Sequence, residues 1–283
     1  MQIISHAVQP GLRPMPNVRN IIAIASGKGG VGKSTTAVNI ALALARSGAR
    51  VGLLDADIYG PSVPMMLGLS GKPKSVDGKF MEPLVGHGLQ ANSIGFLIDQ
   101  DAPAIWRGPM VTQALTQLLT QTNWHDLDYL IIDMPPGTGD IALTMAQKVP
   151  LTGAVIVTTP QDLALADARK GLRMFQKVNV PVLGVVENMS THICTQCGHV
   201  EAIFGEHGGR NMAAEFNLPW LGALPLQMRI REQTDSGTPS VVAEPEGEAA
   251  RAYVEIAQKL AANVAALPPD TASSGPTVIS RKT

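Results

Sequence analysis

The chain has 283 residues, 45% of them hydrophobic, and its 22 basic and 23 acidic side chains nearly cancel to a formal charge of −1. That length accommodates one large domain or two small ones with an ample core. Balanced charge without a basic run argues against holding nucleic acid by its phosphates, and no apolar stretch reaches the roughly 18 residues that span a bilayer. Residues 1 to 16 lack the basic-then-apolar layout of a secretory leader, so a cytoplasmic location with reduced thiols is expected.

Residues 1–18, with Pro10, Gly11, Pro14 and Pro16, read as an extended lead-in. Ile21-Ile22-Ala23-Ile24-Ala25 is an unbroken apolar run, as in a parallel strand covered on both faces. Ser26-Gly27-Lys28-Gly29-Gly30-Val31-Gly32-Lys33-Ser34-Thr35 follows, and Thr36 to Ser47 has the alanine and leucine content of a helix. Gly27 and Gly32 bracket four residues ahead of Lys33-Ser34, which is the phosphate-binding loop pattern. Placed between a strand end and a helix N-terminus, backbone N–H groups there can hold an anion. Gly27, Gly29, Gly30, Val31, Gly32, Lys33, Ser34 and Thr35 are thus the expected nucleotide cradle. Lys33 would reach the β- and γ-phosphates, and the Ser34 hydroxyl would ligate magnesium.

Strand and helix alternate from there. Val51 to Leu54 is a strand ending at Asp55-Ala56-Asp57, and residues 58–78 are a long glycine- and proline-rich loop. Lys79 to Leu84 and Leu89 to Ile94 form a hairpin or two short strands. Gly108 to Gln121 is helical, with Val111, Leu115, Leu118 and Leu119 on one side. Strands are expected at 129–132, 154–157, 182–186 and 221–224. Helices are expected at 141–148, 162–178 and 243–266, the last of these beginning at 243 or after Pro245. Residues 268–283 are polar, without periodicity, and should be disordered. The alternation predicts an α/β, doubly wound, mostly parallel sheet flanked by helices, with 19–267 as one domain.

Ligands of such sheets bind beyond the carboxyl ends of the strands. Asp133, heading Asp133-Met134-Pro135-Pro136-Gly137-Thr138-Gly139-Asp140, is placed to hold magnesium, and Gly137 could offer its N–H to the γ-phosphate. Asp55 and Asp57, spaced i and i+2, can share a face, with Asp55 a supporting group on the magnesium side. Asn188, in Glu187-Asn188-Met189-Ser190, carries both a donor and an acceptor able to read a base edge. The two cysteines, Cys194 and Cys197, lie two residues apart and supply half of a four-ligand metal site. Three arrangements remain open: a pair from each of two chains, a zinc site completed by His192 and His199, or a redox dithiol.

Lys28, a second lysine inside the loop, resembles the deviant phosphate-binding loop of the MinD, ParA and nitrogenase iron protein family. That resemblance implies ATP-dependent dimerisation, with Lys28 reaching across the interface to the partner's nucleotide much as an arginine finger does. It also implies that Asp57 orients the attacking water and that Asn188 reads adenine. A narrower resemblance rests on Asp-Ala-Asp-Ile-Tyr-Gly-Pro-Ser at 55–62, Trp106-Arg107-Gly108-Pro109, the segment 133–140, Glu-Asn-Met-Ser at 187–190 and Cys-Thr-Gln-Cys-Gly at 194–198. Together these are similar to the Mrp/ApbC iron–sulfur cluster carrier ATPases over about residues 19–265. The resemblance implies a magnesium-dependent ATPase whose two subunits share a labile 4Fe–4S cluster on Cys194 and Cys197 and hand it to apo-proteins, with no nucleic-acid or membrane partner. The rival readings are a MinD/ParA-type positioning ATPase and a zinc-stabilised nucleotide-binding scaffold.

Overall fold

The computed structural model describes residues 3–75, 77–97, 108–194 and 196–270. In chain order the elements are β1 (Val18–Ser26), α1 (Lys33–Arg46), β2 (Val51–Asp55), α2 (Val63–Met66), β3 (Leu84–Gly86), β4 (Leu89–Ser93), a 3-10 turn (Ile94–Phe96), α3 (Gly108–Gln121), β5 (Leu127–Asp133) and α4 (Asp140–Lys148). Then come β6 (Gly153–Thr158), α5 (Asp162–Lys177), β7 (Val182–Glu187), β8 (His192–Ile193), β9 (Val200–Glu201), α6 (Gly208–Glu215), β10 (Trp220–Ala223), α7 (Met228–Asp235), α8 (Ser240–Ala243) and α9 (Glu248–Ala265).

The main sheet has the order β10-β7-β6-β1-β5-β2-β4-β3. All neighbours are parallel except β3, which turns back antiparallel on β4. Parallel strands need crossover helices, and these cover both faces, so the central strands are buried and mostly apolar. Every residue of β5 and β6 is buried. One face packs Leu115, Leu118, Met145, Leu172, Phe175 and Met212 from α3, α4, α5 and α6. The other packs Val38, Leu42, Val241, Tyr253, Ile256 and Leu260 from α1, α8 and α9. From β1 the chain winds outward both ways, so β1 lies at the switch point where α/β sheets open a ligand crevice.

Several boundaries differ from expectation, for local reasons. Helix α1 starts at Lys33, three residues before Thr36, because Gly32 in the left-handed region turns the loop directly into it. Within the 58–78 loop the short helix α2 forms, with proline in its first turn. The first hairpin strand is shifted to Leu84–Gly86, and β4 joins the main sheet beside β2. The C-terminal helix breaks at Glu244–Gly247, so α9 begins only at Glu248. Helices α6 and α7 were not expected; α7 buries only Ile230 and Thr234, too few positions for a visible period.

The lead-in is not merely extended. Gln9 gives its Nε2 to the carbonyls of Ala146 and Val149 (2.8 and 3.2 Å) and takes the Leu151 N–H at Oε1 (2.9 Å). Residues 268–270, expected to lack structure, instead pair with the lead-in. Ala7 N–H donates to Pro268 O at 3.1 Å, and Asp270 N–H donates to Ser5 O at 3.0 Å. Trp106, Arg107 and residues 271–283 lie outside the described residues.

Candidate functional site

The loop between β1 and α1 is built from tight backbone contacts. Gly30 and Gly32 have φ of 81° and 80°, which only glycine adopts freely. The Gly32 carbonyl accepts from Thr36 N–H at 3.0 Å and Thr36 Oγ1 at 2.8 Å, anchoring the first turn of the helix. A Cβ on Gly27 would lie 2.1 Å from the Asp167 carbonyl carbon, so the loop presses directly on the backbone of α5. Ser26 Oγ donates to Lys28 O at 2.8 Å. Gly29 has nothing within 4 Å of its Cβ direction. Lys28 is half-buried and forms no ion pair among the described residues.

Beyond the loop, Asp55 and Asp133 stand side by side in register at the ends of β2 and β5. Lys33 Nζ lies 2.5 Å from Asp133 Oδ1, 3.5 Å from Asp57 Oδ2 and 3.3 Å from Ser34 Oγ. Burial, opposed by Lys33, pushes the Asp133 carboxyl up. Its Oδ2 is buried and has no hydrogen-bond partner. Asp55 is pushed up to about 7, first by burial and then by Asp133. Its Oδ1 accepts from Asp57 N–H (3.1 Å), and its Oδ2 accepts from Val63 N–H (3.1 Å) and Ser93 Oγ (2.9 Å). Asp57 Oδ1 in turn accepts from Tyr59 N–H at 3.2 Å. Two carboxylates thus flank one lysine, with Asp55 beside Asp133 and the buried Asp133 Oδ2 unsatisfied. Hard oxygen donors and surplus negative charge suit a divalent cation such as magnesium.

One expectation is corrected. The Gly137 N–H does not face the crevice; it donates to Ser26 O at 2.9 Å, with Gly137 at φ 87°. Ser93 carries no motif, and the sequence did not mark it, although it holds Asp55. Only the placement of β4 beside β2 brings it there.

Asn188 lies on the loop. Its Nδ2 donates to Val31 O at 2.9 Å, and a Cβ on Gly32 would be 2.1 Å from that nitrogen. Its own N–H donates to Thr158 O at 2.8 Å. Just before it, Glu187 Oε2 accepts from Gly209 N–H at the start of α6 at 2.5 Å. Past Asn188 the chain is stapled to the segment after β10: Ser190 N–H donates to Leu224 O (3.0 Å), and Leu226 N–H donates to Thr191 O (2.7 Å). It then enters the small hairpin of β8 and β9.

That hairpin carries the cysteines. Cys194 N–H donates to His199 O at 2.9 Å, and Gly198 N–H donates to Cys194 O at 2.8 Å. The Cys194 thiol is held below its usual range by the backbone N–H of Cys197, then that of Gln196, then the Cys197 thiol. Such N–H groups stabilise a thiolate. Cys197 is exposed and Cys194 half-buried. His192 Nδ1 sits 3.2 Å from Leu226 O, and among the described residues no group of three or more His, Cys, Asp or Glu is placed to hold a metal. The hairpin therefore presents two thiols, and among the described residues nothing completes a four-ligand set.

A phosphate loop on the central strand of a parallel sheet, facing acids on neighbouring strand ends, places the chain in the P-loop nucleotide-binding class. The model of the ParA family, described as NUBPL iron-transfer P-loop NTPase, matches residues 17–261, and the chain belongs to that family. It is 60% identical over 257 residues to the iron-sulfur cluster carrier protein of Pseudomonas fragi, covering 90% of each chain. It is 52% identical over 261 residues to the iron-sulfur cluster transfer protein NUBPL of Mus musculus, covering 92% of this chain and 82% of that one. Among solved structures, the nucleotide-binding protein of Archaeoglobus fulgidus in complex with ADP superposes with a TM-score of 0.71 at 36% identity, over 82% of this chain and 90% of that one. The cell division ATPase MinD of Pyrococcus furiosus superposes with a TM-score of 0.64 at 24% identity, over 85% and 98%, a likeness of fold.

Proposed function

We propose that the protein is a homodimeric, magnesium-dependent ATPase that holds a labile 4Fe–4S cluster between its subunits and passes it to apo iron–sulfur proteins in the cytoplasm. The observation that carries this reading is the hairpin with two thiols, at which no third His, Cys, Asp or Glu is placed to complete a metal site among the described residues. A cubane takes four cysteine ligands, and a two-fold axis through two such hairpins supplies them. Val200 and Ile203, at the hairpin in the chain, and Met228, two residues past Leu226, which bridges to His192, are exposed apolar side chains that a second subunit would cover.

In this reading the backbone of residues 27–35 and Lys33 bind the phosphates, with Lys33 exchanging its carboxylate partners for phosphate oxygens. Ser34 Oγ and Asp133 would hold magnesium, which offsets phosphate charge when bound. Asp55 fixes the turn that carries Asp57, through the Asp57 and Val63 N–H groups. Asp57 orients the attacking water, and Lys28 acts in trans. Asn188 has its Nδ2 on Val31, which leaves Oδ1 to accept from the adenine amino group. Asn188 is also six residues from Cys194, so a loop that shifts on ATP binding pulls on the segment leading to the cysteines.

Anaerobic reconstitution with iron and sulfide tests the proposal. A brown chromophore with about four irons per dimer is expected, and the protein with both Cys194→Ser and Cys197→Ser should stay colourless. Iron bound at full stoichiometry by a monomer, or cluster retained by that double variant, would overturn the shared site.

A further inference from the structure

At the end of the sheet away from the phosphate loop, a cavity of about 520 Å³ opens between the lead-in, the C-terminal end of α1 and the last turns of α9. That volume falls within the roughly 300–1,000 Å³ of small-molecule sites. Ile3 and Leu44 form apolar wall, and Ala261, Ala262 and Ala265 leave the space that larger side chains on α9 would fill. No charged side chain lines it among the described residues.

Besides Ser47, whose Oγ donates to Ala43 O at 3.0 Å, two polar side chains meet this space without such a partner there. His6 is 3% exposed and lines the cavity. Asn20 Nδ2 is committed to the carbonyls of Ile4 (2.9 Å) and Asp128 (3.2 Å), which fixes its amide and turns Oδ1 toward His6 Nδ1 at 2.8 Å. An amide oxygen only accepts, so Nδ1 carries a proton, and in that tautomer Nε2 keeps a lone pair. That Nε2 is buried and has no partner. Tyr129, 4% exposed on β5, also lines the cavity, and its hydroxyl makes no hydrogen bond among the described residues. Burial, then the Asp128 carboxylate, push the Tyr129 phenol up, so it stays a neutral donor. A buried polar atom without a partner, as His6 Nε2 is, is uncommon and is a reason to look for a missing one.

We infer that this cavity binds a small neutral amphiphile: an aliphatic body against the Ile3, Leu44 and α9 alanine walls, and a hydroxyl that donates to His6 Nε2 and is within the reach of Tyr129. The chemistry discriminates among ligands. A hydroxyl supplies the proton that the Nε2 lone pair lacks. A carboxylate supplies none and meets no cation in the lining. A plain alkane leaves both polar groups unpaired.

The full-length protein is titrated calorimetrically with decanol, decanoate and decane at pH 7.5. Decanol should bind saturably and move the His6 ring resonances in NMR, with decanoate and decane at least ten-fold weaker. The variant with Ala262→Leu and Ala265→Leu fills the cavity from the surface of α9 and should lose at least ten-fold in decanol affinity. His6→Phe keeps the ring volume and should abolish the preference for decanol over decane. Absence of saturable decanol binding, equal affinity for decanoate, or undiminished binding by the filled variant would each overturn the assignment.

Discussion

One lysine among three buried or nearly buried carboxylates is an unbalanced arrangement, and its imbalance is measurable. Asp55 has an ordinary value of 3.8 and is pushed up to about 7 in the folded chain. Between those values the folded state holds a proton that the unfolded state has lost. The stability contributed by this group is therefore complete below 3.8 and is lost as pH rises through about 7, above which the dependence is flat. Urea denaturation without nucleotide or magnesium should show stability falling from pH 5 to pH 7. Asp55→Asn should remove up to about 1.4 kcal/mol of that fall per pH unit. Identical slopes in the two proteins would show that Asp55 is ionised throughout. The sequence marked Asp55, Asp57 and Asp133 as strand-end acids, but not which of them is saturated by donors. That is decided by Val63, at the start of α2, and by Ser93, which lies at Asp55 because β4 pairs with β2.

At the scale of elements, the phosphate loop is fixed by what presses on it. Gly27 meets the backbone of α5, and backbone cannot rotate away as a side chain can. Gly27→Ala should cost about 1–3 kcal/mol or more by forcing α5 off the sheet. Gly29→Ala, facing open space, should change stability by less than about 0.5 kcal/mol. Chemical denaturation of the two variants side by side checks the contrast; equal losses would mean the loop and α5 are not in contact. The segment from β7 to β8 is the other neighbour of the loop. It touches Val31 through Asn188 and ends at Cys194, so one short stretch borders both the candidate nucleotide site and the thiols.

At the scale of the whole molecule, the proposed activity belongs to a pair of chains. If Lys28 completes the partner's site while Asp57 serves its own, the variants Lys28→Ala and Asp57→Ala should each bind ATP without turning it over. Mixed in equal amounts they should recover about a quarter of wild-type turnover, since half of randomly assorted dimers are mixed and each carries one intact site. A mixture as inactive as its components would place Lys28 and Asp57 in the same chain's site. None of the described helices is long and apolar enough to cross a membrane.

Local pattern alone determined the buried strands, the phosphate loop, the acids at the strand ends and the paired cysteines. Each is written in a few consecutive residues, and the physics that fixes it acts over that range: apolar runs for covered strands, glycines for a tight loop, short spacing for chelation. Tertiary structure decided the rest. It decided the position of β4, the pairing of residues 5–7 with 268–270, the diversion of the Gly137 N–H to Ser26 and the contact of Asn188 with Val31 across 157 residues of chain. Hydrogen bonds between distant segments have no period in the sequence. They form because buried polar groups must find partners once the sheet order has brought them together.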